Sequence, residues 1–325
     1  MKLAQFHYMD EDRIGVALGD SLIVDLHEAA AGLKLPFNFP YTMRELISFG
    51  SVAQESVRFV LFQSERYPHR VKPIPLTDIE WLPPVQRPGK VVCVALNNST
   101  MNDRKIQAPD HPIYFLKPSS CLVGHQQPIE LYNYFGTVHP EPELAVIIGE
   151  EAHRVTAADA LDYVYGYTVF NDITGSGMRM EDYVQYRSTY ADPENPEQTI
   201  DKTVHLTYSA RYKGCDTFGP LGPWLVTKNE VADPDNLDVF CKMNGQVVAE
   251  DNTSYMNHSV AEVIAHVSRF HTLEPGDVVA MGSAFRPGAS SRRSLTTVDL
   301  QKENGPCEVD IPGIGRLVNP INLIG

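Results

Sequence analysis

The sequence predicts an α+β protein: a small N-terminal unit of mixed strands and helices, then a large strand-rich region. Three observations carry that reading. From "KVVCVALN" onward, short β-branched and aromatic runs recur while helical patterns are few. Strands and helices do not alternate regularly, which speaks against a doubly wound parallel sheet. A composition of 43% hydrophobic and 21% charged residues over 325 positions is that of a chain burying a sizeable core.

In order along the chain, "LAQFHY", "RIGVALGD" and "SLIVDLHEA" read as short strands, with Gly19-Asp20 as a hairpin turn. "YTMRELISFG" reads as a helix ending on Gly50, and "SVAQESVRFVLFQSERY" as a second helix with Ser51 as its N-cap. The proline-rich "PIPLTDIEWLPPVQRPGK" marks a linker, so the domains are placed at 1–85 and 86–325. Beyond it, "HPIYFLKPSS", "ELAVIIGEE", "YVYGYTVFNDIT", "LGPWLVT", "LDVFCKMNGQVV", "GDVVAMGSA" and "GRLVNPINLI" read as strands. "TAADALDYVY" and "SVAEVIAHVSRF" read as helices capped by Thr156 and Ser259. The polar stretch "RMEDYVQYRSTYADPENPEQTIDKTVHL" reads as a long loop or lid.

Charge and composition exclude several function classes. Lys+Arg total 27 and Asp+Glu 41, a net charge of −14 (27 minus 41), which repels nucleic acid and anionic membrane. No apolar run approaches the roughly 18 residues needed to span a bilayer, and "MKLAQFHYMDEDR" lacks the apolar core of a signal peptide. Five scattered cysteines without a CxxC pair read as reduced, mostly buried thiols, and together these features point to a cytoplasmic protein.

The chemistry concentrates in "TVHPEPELAVIIGEE". Residues i and i+2 of a strand share a face, so Glu141 and Glu143 lie on one side, with Pro142 marking a strand start or edge. Asp172, after the buried run "YGYTVFND", is a third carboxylate in a similar setting. Three converging carboxylates repel one another unless a hard divalent cation joins them, and an all-oxygen set favours Mg²⁺, Mn²⁺ or Ca²⁺ over zinc. Solvated strand-edge acids are the alternative at this point.

"HPEPELAVIIGEEAHRVTAADALDYVYGYTVFNDITG" resembles the core of the fumarylacetoacetate hydrolase family. "KVVCVALN", "PIYFLKPSSCLVGHQQPIEL", "YKGCDTFGPLGPWLVT" and "LEPGDVVAMGSA" match it too, so the resemblance covers about Lys90 to Ile324. It implies a mixed β-roll core, a homodimer, and one Mg²⁺ or Mn²⁺ held by Glu141, Glu143 and Asp172. It also implies a small 2-oxo or 1,3-dioxo acid as substrate. Such an acid chelates the metal, which stabilises an enolate as the neighbouring bond breaks. By the same resemblance Lys213 is an active-site lysine, Ser283 in "MGSA" a carboxylate-binding hydroxyl, and Asn97 a substrate-side asparagine. Lys117 in "FLKPSS" also matches and reads as a structural ion pair.

Three departures bear on the reaction. Met101 stands where the family's hydrolases carry their histidine base, and Arg104 where they carry its glutamate partner. A thioether takes no proton at neutral pH, so water activation needs a base from elsewhere. Ser176 replaces an arginine after the "ND" element, and Arg179 then takes the place of a glutamine as the cation facing the substrate. His139, on the strand face of Glu141, is the candidate replacement base. The double arginine Arg292-Arg293 reads as a solvated loop. Hydrolysis of a C–C bond is the leading expectation. A dehydratase or decarboxylase of 2-oxo (2-keto-3-deoxy) acids is the alternative, and a non-catalytic binding protein of the same fold is the third.

Overall fold

The computed structural model describes residues 1–99, 102, 105, 106, 108–283, 298–303 and 305–325. It begins with three antiparallel strands, β1 (Lys2–Tyr8), β2 (Glu11–Leu18) and β3 (Leu22–Asp25). Gly19, at a positive φ of 66° that glycine adopts without strain, turns β2 into β3. Asp25 caps α1 (Leu26–Leu33) by accepting from the backbone of His27 and Glu28. α2 (Met43–Ser48) and α3 (Gly50–Arg66) follow, then β4 (Ile74–Pro75) and β5 (Glu80–Leu82). The anticipated Ser51 cap is absent: Gly50 already belongs to α3, and its left-handed φ of 57° turns the chain directly from one helix into the next.

The strand-rich region runs through β6 (Val91–Ala95), β7 (Ile113–Lys117), β8 (Leu122–Val123), β9 (Ile129–Tyr132), β10 (Val138–His139), β11 (Pro142–Ile148), β12 (Val164–Asn171) and β13 (Thr174–Gly175). Then come α4 (Ser176–Glu181), β14 (Tyr183–Ala191), β15 (Thr199–Thr207), α5 (Ala210–Gly214), β16 (Gly219–Thr227), β17 (Asp238–Met243) and β18 (Gln246–Asn252). α6 (Val260–Ser268), β19 (Val278–Ala280), β20 (Cys307–Ile311), β21 (Gly315–Asn319) and β22 (Ile321–Ile324) complete it. Ser259 caps α6 in a full capping box with Glu262, as its sequence signals. Thr156 does not open a helix. Its hydroxyl bonds Asp159, and only a 3₁₀ turn, Ala160–Tyr163, precedes β12, because "VYGYTVFN" has the β-branched and aromatic character of a buried strand.

One large mixed sheet, in the order β4-β3-β2-β1-β16-β12-β11-β19-β6-β7, joins the two regions through the β1–β16 pairing. Apolar clusters cover both of its faces. One holds Leu3, Ile14, Leu46, Val57 and Phe170, and the other Leu144, Val146, Val169, Ile264 and Leu317. A four-stranded sheet, β18-β17-β20-β21, supplies part of the second cluster. The architecture is sheet-dominated α+β without a closed barrel, as expected. The stretch expected to be a loop or lid is instead a regular hairpin, β14–β15, paired over nine positions from Tyr183↔Thr207 to Ala191↔Thr199. Met101, Arg104, Arg292 and Arg293 lie outside the described residues.

A candidate metal centre

The register of two core strands builds the site. β11 and β12 run antiparallel with Pro142 opposite Asn171 and Glu143 opposite Phe170, so Glu141 comes level with Asp172. Two bonds fix that corner: the Glu141 amide donates to Asn171 Oδ1 (3.0 Å), and the Asp172 amide to the Glu141 carbonyl (2.9 Å). Glu143 is then the first inward position of β11. One oxygen each of Glu141, Glu143 and Asp172 lies within 4.8 Å of the others, with Glu143 and Asp172 buried and Glu141 half-buried.

Two lysines reach this cluster from other elements. Lys117, the last residue of β7, is buried and places Nζ 2.6 Å from Asp172 Oδ1 and 2.7 Å from the Phe218 carbonyl. Lys213 on α5 places Nζ 2.6 Å from Asp172 Oδ2 and 2.9 Å from Glu141 Oε1. Phe115 lies against the Lys213 ammonium, 5.2 Å from ring centroid to Nζ, a cation–π contact on a partly dehydrated charge. Burial works against the Lys213 charge, but Asp172 and Glu141 outweigh it and hold its pKa above the usual lysine range.

The glutamates differ sharply. Burial pushes Glu141 up, yet the Lys213 charge with the His139 and Thr174 contacts holds it well below the usual carboxylate range. Among the described residues no lysine lies at hydrogen-bond distance from Glu143, and its Oε2 accepts the Gly282 amide (2.9 Å). Burial, then the charges of Asp172 and Glu141, push its pKa well up. Among the described residues, Glu141 Oε2 and Glu143 Oε1 have no hydrogen-bond partner. Three clustered carboxylate oxygens, two of these carboxylates with an unused oxygen, fit a hard divalent cation and leave further coordination positions for water or a chelating acid.

The remaining predicted residues distribute unevenly. His139 joins the cluster: Nε2 lies 3.5 Å from Glu141 Oε1, and Nδ1 is hydrogen-bonded to Ser176 Oγ at 2.8 Å. Ser283 follows Gly282 directly, and its hydroxyl oxygen is buried with no partner among the described residues, an acceptor-donor left open beside Glu143. Asn97 does not present its amide to a ligand. Its Nδ2 donates to the carbonyls of His258 (3.1 Å) and Met281 (2.9 Å), and its Oδ1 accepts the His258 amide, stapling the end of β6 to the strand end that carries Gly282. Arg179 is exposed on α4, its guanidinium 6.0 Å over the Tyr212 ring, and makes no contact with the carboxylates. Sequence reasoning missed Thr174, whose hydroxyl donates to Glu141 Oε1, and Phe115; the "FLKPSS" motif was the available signal for the latter.

A largely buried triad of carboxylates, flanked by two lysines, fits a divalent cation. Residues 90–322 match the family model described as fumarylacetoacetate (FAA) hydrolase C-terminal, and the chain belongs to that family. It is 32% identical over 325 residues to the mitochondrial oxaloacetate tautomerase Fahd2a of Rattus norvegicus, covering 99% of this chain and 91% of that protein. Among solved structures it resembles maleylpyruvate hydrolase of Sphingobium sp. SYK-6 in complex with manganese(II) ion and pyruvate (TM-score 0.68, 26% identity, both chains fully covered). It likewise resembles 5-carboxymethyl-2-hydroxymuconate delta-isomerase of Mycobacterium smegmatis (TM-score 0.66, 25% identity, both fully covered). No helix among the described residues is long and apolar enough to cross a membrane.

Proposed function

We propose that this protein is a divalent-cation-dependent tautomerase of a small 2-oxo dicarboxylic acid of the oxaloacetate type. It would move a proton between carbon and oxygen and leave the carbon skeleton intact. The enzyme class, acting on small oxo acids, is common to its relatives. The observation that carries the finer reading is Lys213, a buried ammonium held at 2.6 and 2.9 Å by two of the three cluster carboxylates. A permanently charged hydrogen-bond donor beside the carboxylates supports stabilisation of an enolate oxygen, whereas the position of the family's water-activating histidine holds Met101.

A divalent cation held by Glu141, Glu143 and Asp172 would polarise the 2-oxo group and bind the adjoining carboxylate. The chain's own groups do the rest. Lys213 spends two N–H bonds on Glu141 and Asp172, which aim the ammonium. The third is available to an oxygen that gains negative charge as the proton leaves carbon. His139, steadied by Ser176, lies 3.5 Å from Glu141 Oε1 and is the candidate group for taking up a proton at the edge of the site. The open Ser283 hydroxyl is placed to receive a substrate carboxylate. Lys117 and the Phe218 carbonyl fix Asp172 from behind.

C–C hydrolysis of an acylpyruvate, the leading expectation from sequence, is the second reading. It draws on the likeness to a maleylpyruvate hydrolase. The two separate cleanly. With Mg²⁺ present, a tautomerase hastens decay of the enol's ultraviolet absorbance and exchanges the carbon-bound hydrogen in deuterated water, with no loss of carbon. A hydrolase instead places heavy oxygen from labelled water in a new carboxylate. Lys213→Met is expected to abolish enol decay. Acylpyruvate cleavage without enhanced enol decay overturns the tautomerase reading.

A further inference from the structure

Asn171 is the last residue of β12, where the strand delivers Asp172 to the metal centre, and it is 1% exposed. Two of its oxygens hold the carboxylate corner together. Its side-chain Oδ1 accepts the Glu141 amide at 3.0 Å. Its carbonyl accepts the Ile173 amide at 3.0 Å, closing a γ-turn with Asp172 at the centre. The placing of two candidate cation ligands therefore runs through one asparagine. A half-turn of its side-chain amide would exchange Oδ1 for Nδ2 with hardly any change of shape. The Glu141 N–H would then face a second donor, and a buried donor without an acceptor is costly.

The oxygen is kept on the Glu141 side from a different sheet. Cys307, the first residue of β20, accepts a hydrogen bond on Sγ from Asn171 Nδ2 at 3.4 Å. Sulfur is a weak acceptor, and in water such a contact would count for little. Here both residues are 1% exposed, and the sulfur belongs to an apolar cluster with Ile173, Phe218, Cys241 and Met243. An amide facing such a cluster has no solvent to replace a lost partner. Cys241 on the neighbouring β17 lies against Cys307. The hydrogen bond between the two thiols, then burial, push the Cys241 thiol well up, so it stays an S–H at neutral pH. The Asn171–Cys307 bond spans 136 residues and joins the four-stranded sheet to the large one at the metal corner.

We propose that Cys307 is a positioning residue of the metal centre: its sulfur sets which way the Asn171 amide faces, and the amide in turn sets Glu141. The inference rests on the reading of Glu141, Glu143 and Asp172 as a cation site. Without the sulfur, Nδ2 loses its partner, the amide is free to turn, and Glu141 loses the acceptor that fixes its backbone. The carboxylates keep their number and their charge, so the loss falls on geometry alone. Cation affinity drops in a chain that is still folded.

Mn²⁺ affinity of the full chain, read from the paramagnetic resonance signal of free Mn²⁺, tests this without turnover. Cys307→Val keeps the volume and removes the acceptor, and is expected to raise the Mn²⁺ dissociation constant about tenfold, as loss of an outer hydrogen-bond partner does at metal sites. Cys307→Ser restores an acceptor and should bring the constant to within about threefold of the unaltered chain. Val248→Ala loosens the same apolar cluster without touching the amide, and should leave the constant unchanged. Asn171→Ala should weaken binding at least as much as Cys307→Val, and adding Cys307→Val to it should do nothing further, because the sulfur then has no amide to hold. That last comparison stands even where Cys307→Val alone folds poorly, since the double variant leaves no unpaired amide. An unchanged constant in folded Cys307→Val, a Cys307→Ser as weak as Cys307→Val, an equal loss in Val248→Ala, or additive losses in the double variant overturns the role of Cys307 and leaves the cation site standing. Failure of the unaltered chain to bind Mn²⁺ overturns the cation site itself, and the role of Cys307 falls with it.

Discussion

Replacing Glu143 with glutamine removes one negative charge from the carboxylate cluster while keeping the side chain's shape and its acceptor for the Gly282 amide. The structure sets the size of the effect. Glu143 sits within 4.8 Å of both Glu141 and Asp172, oxygen to oxygen, and each such pair repels by about 3.5 kcal/mol at an effective dielectric of about 20. Two repulsions are relieved. A comparable attraction to Lys213 is lost, and the amide bond weakens by about 1 kcal/mol. Where the pH is high enough to ionise Glu143, whose pKa is pushed well up, the balance is a cation-free protein more stable by about 2 kcal/mol, an increase of a few degrees in melting temperature for a chain of this size; as the pH falls and Glu143 takes up a proton, that gain disappears.

With a cation the sign reverses. At a hundredfold excess over its dissociation constant, a bound ion stabilises the unaltered protein by about 2.7 kcal/mol. Glu143→Gln, deprived of one of three ligands and of an open oxygen, should lose most of that gain. Differential scanning fluorimetry in chelator and in saturating Mg²⁺ or Mn²⁺ reads both arms. A variant that melts at or below the unaltered protein in chelator, and is still stabilised equally by the cation, refutes the assignment of this cluster as the cation site.

Two further outcomes follow from particular contacts. Asn97→Ala removes three hydrogen bonds to backbone and should cost about 3 kcal/mol in urea unfolding. Oxalate affinity of the folded variant should stay within about threefold, because the side chain is a staple; a large affinity loss at unchanged stability would put Asn97 on the ligand instead. His125 gives a pH signature: burial, with a small push from Arg316, lowers its pKa from 6.5 to about 4. The unfolded chain therefore binds a proton that the folded chain refuses, so stability is full above pH 6.5 and declines as pH falls toward 4, by up to about 3 kcal/mol. His125→Asn keeps an acceptor for the Val318 amide and should flatten that slope in urea titrations; an unchanged slope removes His125 as the cause.

Much of the site was legible because its geometry is local. The E-x-E spacing fixes a shared face, and a strand running on from Glu143 and another running into Asp172 needed only antiparallel pairing to meet. Ser259 and Gly19 were equally plain, since caps and tight turns are written in a few adjacent residues. What was not legible depends on distance. Lys213 meets Asp172 across 41 residues and Lys117 meets it across 55, and no period or motif in one chain reports such a meeting; only the family resemblance marked both lysines. Asn97 failed for another reason. An asparagine at a strand end looks the same whether its amide serves backbone or substrate, and the His258 and Met281 carbonyls decide it. The hairpin was hidden because a solvent-exposed ribbon lacks the imprint of a core, and the mixture of Tyr, Thr and charge in "YVQYRSTYA" reads as polar loop.

The charges around the cluster argue for an order of binding. Fully ionised, Glu141, Glu143 and Asp172 carry −3, and Lys117 and Lys213 carry +2, leaving −1 in a largely buried site. An oxo diacid carries −2 and would be repelled from that site alone, however well Ser283 and Lys213 are placed. A divalent cation changes the balance to +1, and the same acid is then attracted with the low-dielectric surroundings strengthening the pull. The oxo acid should therefore bind only after the cation. Calorimetric titration with oxalate, an analogue of an oxo-acid enolate, decides this: in chelator no binding heat is expected, and in saturating Mg²⁺ a one-to-one isotherm. Equal oxalate binding in both conditions would mean that the lysines by themselves form the anion site and that the carboxylates are spent on holding them.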